Sequence, residues 1–146
     1  MVLADSNIWL ALVLSKHHFH EVCRSWIANI KSSERIIFCR ATQQSFLRLL
    51  TTRSVFAPYG IPPFDNQSAW ETYQDLLAQP SIKWVSEPQG LDAHWKRLTA
   101  RPLASPKLWM DAYLAAFAMA RRDRLLTTDL AFGQFPGLDV VILEMK

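Results

Sequence analysis

The stretch Leu108–Leu130, LWMDAYLAAFAMARRDRLLTTDL, decides the architecture. Its first part, Leu108 to Arg122, is alanine-rich, free of Gly and Pro, and apolar nearly all round. Such a segment reads as a helix buried on more than one side. RLLT, Arg124 to Thr127, follows at once as a short apolar strand, and Asp129 stands just beyond its end. A buried helix feeding straight into an apolar strand is the return limb of a strand–helix–strand unit, the building block of a parallel sheet.

The same alternation extends in both directions from that stretch. Met1 to Ala4 reads as a buried strand that stops at Asp5, and SNIWLALVL after it as a helix capped by Ser6 or Asn7. His18 to Ile30 places Phe19, Val22, Trp26, Ile27 and Ile30 at helical spacing. Arg35–Cys39, RIIFC, reads as a second strand, and Thr42–Leu50 as a helix with Thr42 as its N-cap. Residues 54–64 carry Pro58, Gly60, Pro62 and Pro63 and read as a loop. Helices are expected over Asn66–Ala78 and Leu91–Ala100, and strands over Ile82–Val85 and Leu138–Leu143. Pro102 and Pro106 mark 101–107 as a connection. Near-continuous apolar strands indicate that both sheet faces are covered. The expected fold is a single α/β domain, with a central parallel sheet of about five strands and helices on both faces.

Bulk properties agree with one domain. The chain has 146 residues, half of them hydrophobic, enough for a core and too few for two comfortable ones. The net charge of +3 permits a polyanionic partner without requiring one. Cys23 and Cys39 lack metal-site or redox spacing and read as reduced core thiols, which points to a cytoplasmic protein. Asp5 interrupts the apolar start and no basic segment precedes it, so no cleavable signal is expected. No apolar run reaches membrane-spanning length.

The chemistry concentrates on three aspartates. In an open parallel sheet, Asp5 and Asp129 follow strands and share the C-terminal edge, where ligands bind at the point of strand-order reversal. Asp111, early in its helix, starts near the same edge. Three carboxylates together stay ionised only beside a cation. All-oxygen ligands select Mg²⁺ or Mn²⁺. Such a site suits phosphoryl chemistry through an activated water. Each aspartate also has a plainer role as a cap, a turn residue or a helix-dipole partner; the combination is what points to function.

Other candidates are weaker. His17, His18, His20 and Glu21 do not complete a zinc set and read as a solvated helix start. Ser45 has no triad partners in view. The Trp residues at helical spacing read as core. Arg48, Arg53, Lys107, Arg121 and Arg122 are candidates for phosphate contact or simply surface charge.

These residues carry a family resemblance. VLADSNIWLAL resembles the first-strand motif of PIN domains of the VapC toxin type. The block from Leu108 to Leu143 resembles that family's C-terminal half, with its DA-x-LAA helix, a T-x-D-x-x-F turn at Thr127, Asp129 and Phe132, and FPGL. FCRATQQSFLRLLTT resembles one subgroup of these toxins. The resemblance implies a PIN fold and Mg²⁺- or Mn²⁺-dependent endonucleolytic cleavage of RNA, with structured RNAs such as tRNA as targets. It also implies a homodimer and a cognate antitoxin, as in a type II toxin–antitoxin system. Asp5, Asp111 and Asp129 match its metal carboxylates; Ser6, Asn7 and Thr127 match supporting positions.

The chain departs from the pattern in two places. The Glu usual on the helix after the second strand falls at Ser45, with Gln44 beside it. An acid often present after Asp129 is replaced by Leu130 and Ala131. Fewer anionic ligands predict weaker metal binding and leave a site for one ion rather than two as an option. This leaves an alternative open, a catalytically weakened PIN-like domain that binds RNA or a partner. A dehalogenase-type phosphatase would need a second Asp where Asn7 stands, and a receiver domain an acidic pair near Asp5; neither is present.

Overall fold

Five short strands form the sheet, and their alternating residues build two separate cores. The computed structural model describes residues 1–145. In chain order it contains β1 (Val2–Ala4), α1 (Ser6–Val13), α2 (His20–Ala28), β2 (Ile36–Phe38), α3 (Arg40–Leu50), α4 (Arg53–Phe56), α5 (Asn66–Leu77), β3 (Ile82–Trp84), α6 (Leu91–Thr99), α7 (Leu108–Arg121), β4 (Arg124–Thr127) and β5 (Val140–Ile142). Single 3₁₀ turns span Ala57–Tyr59 and Leu130–Gln134. The strand order is β3-β2-β1-β4-β5, with every pairing parallel. β2 and β3 extend the sheet to one side of β1, and β4 and β5 to the other. The reversal therefore lies between β1 and β4.

Period-two side-chain alternation divides the strands between the layers. Val2, Ala4, Ile36, Phe38 and Leu126 face a core completed by Ile8 and Trp9 of α1, Phe46 of α3 and Tyr73 of α5. Leu3, Ile37 and Leu125 face the other, built with Leu98 of α6 and Ala112, Ala115, Ala116 and Phe117 of α7. The alanines of α7 suit this position, since small side chains let a helix lie close to a sheet. The Trp9 ring stacks on Phe38 with centroids 3.8 Å apart, and its Nε1 donates to the Ala4 carbonyl at 3.1 Å. One buried side chain thus ties α1 both to β2 and to the end of β1.

Local expectations fail where capping chemistry competes. The N-cap of α1 is Asp5, which accepts from Ser6 N–H, and not Ser6 or Asn7. An ionised carboxylate at that position satisfies a first-turn donor and complements the helix dipole better than either neutral group. Thr42 is the third residue of α3 rather than its cap. Its hydroxyl accepts from the Cys39 N–H at 3.0 Å in a capping box whose N-cap is Cys39. The 54–64 segment is not all loop, since α4 and a 3₁₀ turn hold its first half, with Pro58 tolerated in the opening of that turn. Cys23 and Cys39 are buried and free. Among the described residues no helix is long and apolar enough to cross a membrane.

Candidate functional site

Asp5 follows the last residue of β1 and Thr127 ends β4, side by side at the C-terminal edge, where the strand order reverses. That adjacency brings together residues far apart in the chain. Thr127 Oγ1 donates to Asp5 Oδ2 at 2.9 Å and accepts from the Asp129 N–H at 3.0 Å. Asp5 Oδ1 accepts from Ser6 N–H at 2.7 Å, with Ser6 Oγ at 3.4 Å. The Asp5 N–H itself donates to the Leu126 carbonyl at 2.9 Å. Asp5 is therefore held from both sides, by the first turn of α1 and by β4.

Asp129 is the N-cap of the 3₁₀ turn that follows β4, its Oδ1 accepting from Ala131 N–H at 2.9 Å. The plain capping role is real for Asp5 and Asp129 alike. In both it leaves lone pairs over, because a carboxylate has about four acceptor sites and capping uses one or two. Asp111 lies in the first turn of α7, half-buried, and no donor among the described residues holds its carboxylate. α7 begins near the C-terminal edge after the crossover from β3, which is why Asp111 joins the other two.

Burial and neighbouring charge both act on Asp5 and Asp111. Burial is the main cause that raises the Asp5 carboxyl above its ordinary pKa; the Thr127 and Ser6 hydrogen bonds pull it down and the Asp129 charge adds to the rise. Burial again comes first for Asp111, followed by the charges of Asp129 and then Asp5, all raising it. The folded chain thus concentrates negative charge that the protein does not itself neutralise.

Asp5 and Asp111 line one cavity of about 580 Å³, together with Ser6, Ser45, Arg48 and an aromatic wall. Asp129 stands outside its lining but within electrostatic reach of both. Among the described residues no three His, Cys, Asp or Glu side chains are already gathered closely enough to hold a metal ion. The donor set is nonetheless all oxygen, the kind a hard divalent cation takes. Asn7, two residues after Asp5, has an Oδ1 that is buried with no hydrogen-bond partner among the described residues. Ordinarily such an oxygen is a cost of folding. The chemistry of these donors, not their present spacing, is what suits a Mg²⁺- or Mn²⁺-type ion.

The remaining sequence candidates sort clearly. Ser45 does line the cavity, so no acid stands where the usual Glu would. Of the five basic candidates only Arg48 lines it. Arg121 and Arg122 sit at the far end of α7, at the opposite sheet edge, where Arg121 pairs with Asp123 at 2.7 Å. Glu87 accepts from the Tyr113 hydroxyl at 2.8 Å and Glu21 lines a different groove with His18; neither Glu lines this cavity. Reading the tryptophans as core holds for Trp9 but not for Trp109, 53% exposed, nor for Trp70 and Trp84. Helical spacing could not find them, because α5 and α7 carry apolar residues on faces that meet solvent.

A family model described as "PIN domain" matches residues 2–138. The chain is 49% identical to Ribonuclease VapC41 of Mycobacterium tuberculosis (strain ATCC 25618 / H37Rv), over 98% of this chain and 99% of that protein. It is 30% identical to Ribonuclease VapC44 of the same strain, over 92% of each. Among solved structures, VapBC-1 from nontypeable Haemophilus influenzae matches with a TM-score of 0.66 at 13% identity, covering 97% of this chain and 98% of that one. Mycobacterium tuberculosis VapC20 matches with a TM-score of 0.64 at 14% identity, covering 96% and 98%. These two likenesses concern the fold, which is the parallel sheet with its reversal at β1 and β4. Nearly the whole chain is matched by the family model and by a relative sharing almost half its residues, so the chain belongs to the PIN-domain family, in its VapC branch.

Proposed function

We propose that this protein is a divalent-metal-dependent endoribonuclease, the toxin of a type II toxin–antitoxin pair, acting in the cytoplasm. The observation that carries the reading is that Asp5 and Asp111 line one cavity at the sheet reversal, with the charge of Asp129 acting on both. The name of the 49%-identical relative, Ribonuclease VapC41, supports the RNA-cleaving activity. Structured RNA, tRNA included, is the proposed substrate; a cognate antitoxin and a second copy of the chain are the proposed partners.

In this reading Asp5, Asp111 and Asp129 hold Mg²⁺ or Mn²⁺, and Ser6, Asn7 and Thr127 support them. A divalent cation bound there supplies positive charge beside the scissile phosphodiester and acidifies a water for in-line attack. The chain's own part is positioning. Thr127 and the α1 turn fix Asp5, so its carboxylate does not reorganise when substrate arrives. Asp111 moves most easily, because nothing holds it. Arg48 offers a cation to the strand's phosphates from the same cavity.

The second reading, a weakened PIN-like domain that binds RNA or a partner without cutting, is favoured by one observation: Ser45 stands in the cavity where an acid would complete the ligand set. One experiment separates the two. Structured RNA is incubated with the wild type and Asp5→Asn at millimolar Mg²⁺ or Mn²⁺. Cleavage by the wild type alone supports the enzyme, while equal survival of RNA in both supports the binding domain.

A further inference from the structure

The cavity that holds Asp5 and Asp111 is walled on one side by Trp95, Trp109 and Tyr113, and the proposed metal chemistry makes no use of them. Trp95 meets Trp109 at 6.1 Å between centroids and 85° between planes, and Tyr113 at 5.4 Å and 80°. Edge-to-face pairs of this kind leave ring faces unstacked. Two of the wall's three polar handles are spent internally. Trp95 Nε1 donates to the Trp109 carbonyl at 2.9 Å, and the Tyr113 hydroxyl donates to Glu87 Oε1 at 2.8 Å. These two bonds hold the Trp95 and Tyr113 rings in place, so the wall offers mainly flat ring surface together with the indole N–H of Trp109. Trp109 remains 53% exposed. Arg48 lines the same cavity and forms no ion pair among the described residues. A volume of about 580 Å³ lies in the range that holds a small-molecule-sized group.

We propose that the wall formed by Trp95, Trp109 and Tyr113 stacks an unpaired nucleobase of the RNA strand, while Arg48 takes a phosphate of the same strand. This rests on the RNA-cleaving reading above and deepens it. A planar base fits rigid ring faces, and stacking needs no edge hydrogen bonds. The acidic floor next to the wall belongs to the proposed cleavage site, so the stacked base lies beside the scissile bond. Selection is then by base exposure rather than by base identity: a nucleotide already unpaired enters, and one in a duplex must first be extruded.

The test measures binding without cleavage, in EDTA, using a fluorescein-labelled single-stranded dodecaribonucleotide and the same RNA annealed to its complement. Trp109→Ala weakens binding of the single strand about tenfold, the order expected for one lost base–aromatic stack. Trp109→Phe keeps most of the affinity, and Leu103→Ala, exposed outside this cavity, changes nothing. The slope of log affinity against log salt stays the same in Trp109→Ala and falls by about one unit in Arg48→Ala. Thermal melting confirms that each variant is folded. Equal affinity of wild type and Trp109→Ala overturns the proposal, including the case where the wall proves to be covered by a protein partner instead. If the wild type also cleaves RNA with Mn²⁺ in that case, the ribonuclease reading stands and only the stacking assignment falls. A wild type that neither binds nor cleaves removes both.

Discussion

The Thr127 hydroxyl joins two carboxylate-bearing turns, donating to Asp5 Oδ2 at 2.9 Å while accepting from the Asp129 N–H at 3.0 Å. Thr127 is fully buried, so water cannot replace either bond. Thr127→Val keeps the shape and removes both. The variant is expected to lose about 1–3 kcal/mol of stability, since it strands a buried acceptor and a donor, and to cleave RNA more slowly with substrate binding little changed. Thr127→Ser restores both properties. Urea unfolding and a comparison of kcat with KM across the three proteins check this.

Stability without metal should fall as pH rises through the acidic range. Asp5 and Asp111 have folded-state pKa values above their unfolded ones, chiefly from burial. The folded state therefore binds more protons than the unfolded state between the two values, and the slope of unfolding free energy with pH is negative there. The penalty begins near the ordinary carboxylate pKa and is complete once pH exceeds the raised folded value. Asp111→Asn, which cannot ionise, is expected to melt a few degrees higher than wild type at neutral pH in EDTA, and no higher at pH 3. A lower melting temperature at pH 7 would contradict the charge crowding.

Mn²⁺ should reverse that penalty. Ligand that binds only the folded state stabilises by about 2.7 kcal/mol at a hundred times its Kd. The wild type is expected to gain in melting temperature with millimolar Mn²⁺, and Asp5→Asn and Asp111→Asn much less. Differential scanning fluorimetry across a Mn²⁺ series reads this without any RNA.

Ser45→Glu adds an acid to the cavity that already holds Asp5 and Asp111. Two opposite shifts are expected: several-fold tighter Mn²⁺ binding by calorimetry, and a lower melting temperature in EDTA, because a further charge joins an uncompensated cluster. Tighter binding with no apo penalty would place the new carboxylate away from the other two.

Phe38→Ala should cost about 3–5 kcal/mol, as expected for a large aromatic removed from a core. Phe38 is fully buried, stacked on Trp9 and in edge contact with Tyr73. Trp9 also bonds the Ala4 carbonyl beside Asp5, so the loss is expected to loosen the site as well as the core. Guanidinium unfolding and Mn²⁺ affinity, measured together, test both parts.

Much of this fold was legible along the chain. Short apolar strands separated by periodic helices specify a parallel α/β sheet, because hydrophobic period is a local property of neighbouring residues. The same reading put Asp5 and Asp129 on one edge, since parallel strands all point the same way. Other features depend on atoms distant in sequence or on competing local donors. Asp5 rather than Ser6 caps α1 because a charged acceptor outcompetes a hydroxyl, and residues 53–59 coil because short turns can form around Pro58. The exposure of Trp109 is set by what packs on α7, which helical spacing does not encode.

Residue order alone therefore established the class of fold, the edge that carries Asp5 and Asp129, and, through the resemblance of its motifs, the family. Folding in three dimensions settled the rest: the reversal between β1 and β4 that lets Thr127 reach Asp5 across 122 positions, the sorting of Arg48 into the cavity and Arg121 out of it, and the aromatic wall facing Asp111. The division follows from range. Apolar periodicity and turn chemistry act between neighbours and can be read in line, whereas hydrogen bonds, burial and charge crowding arise between side chains that only the folded sheet brings together.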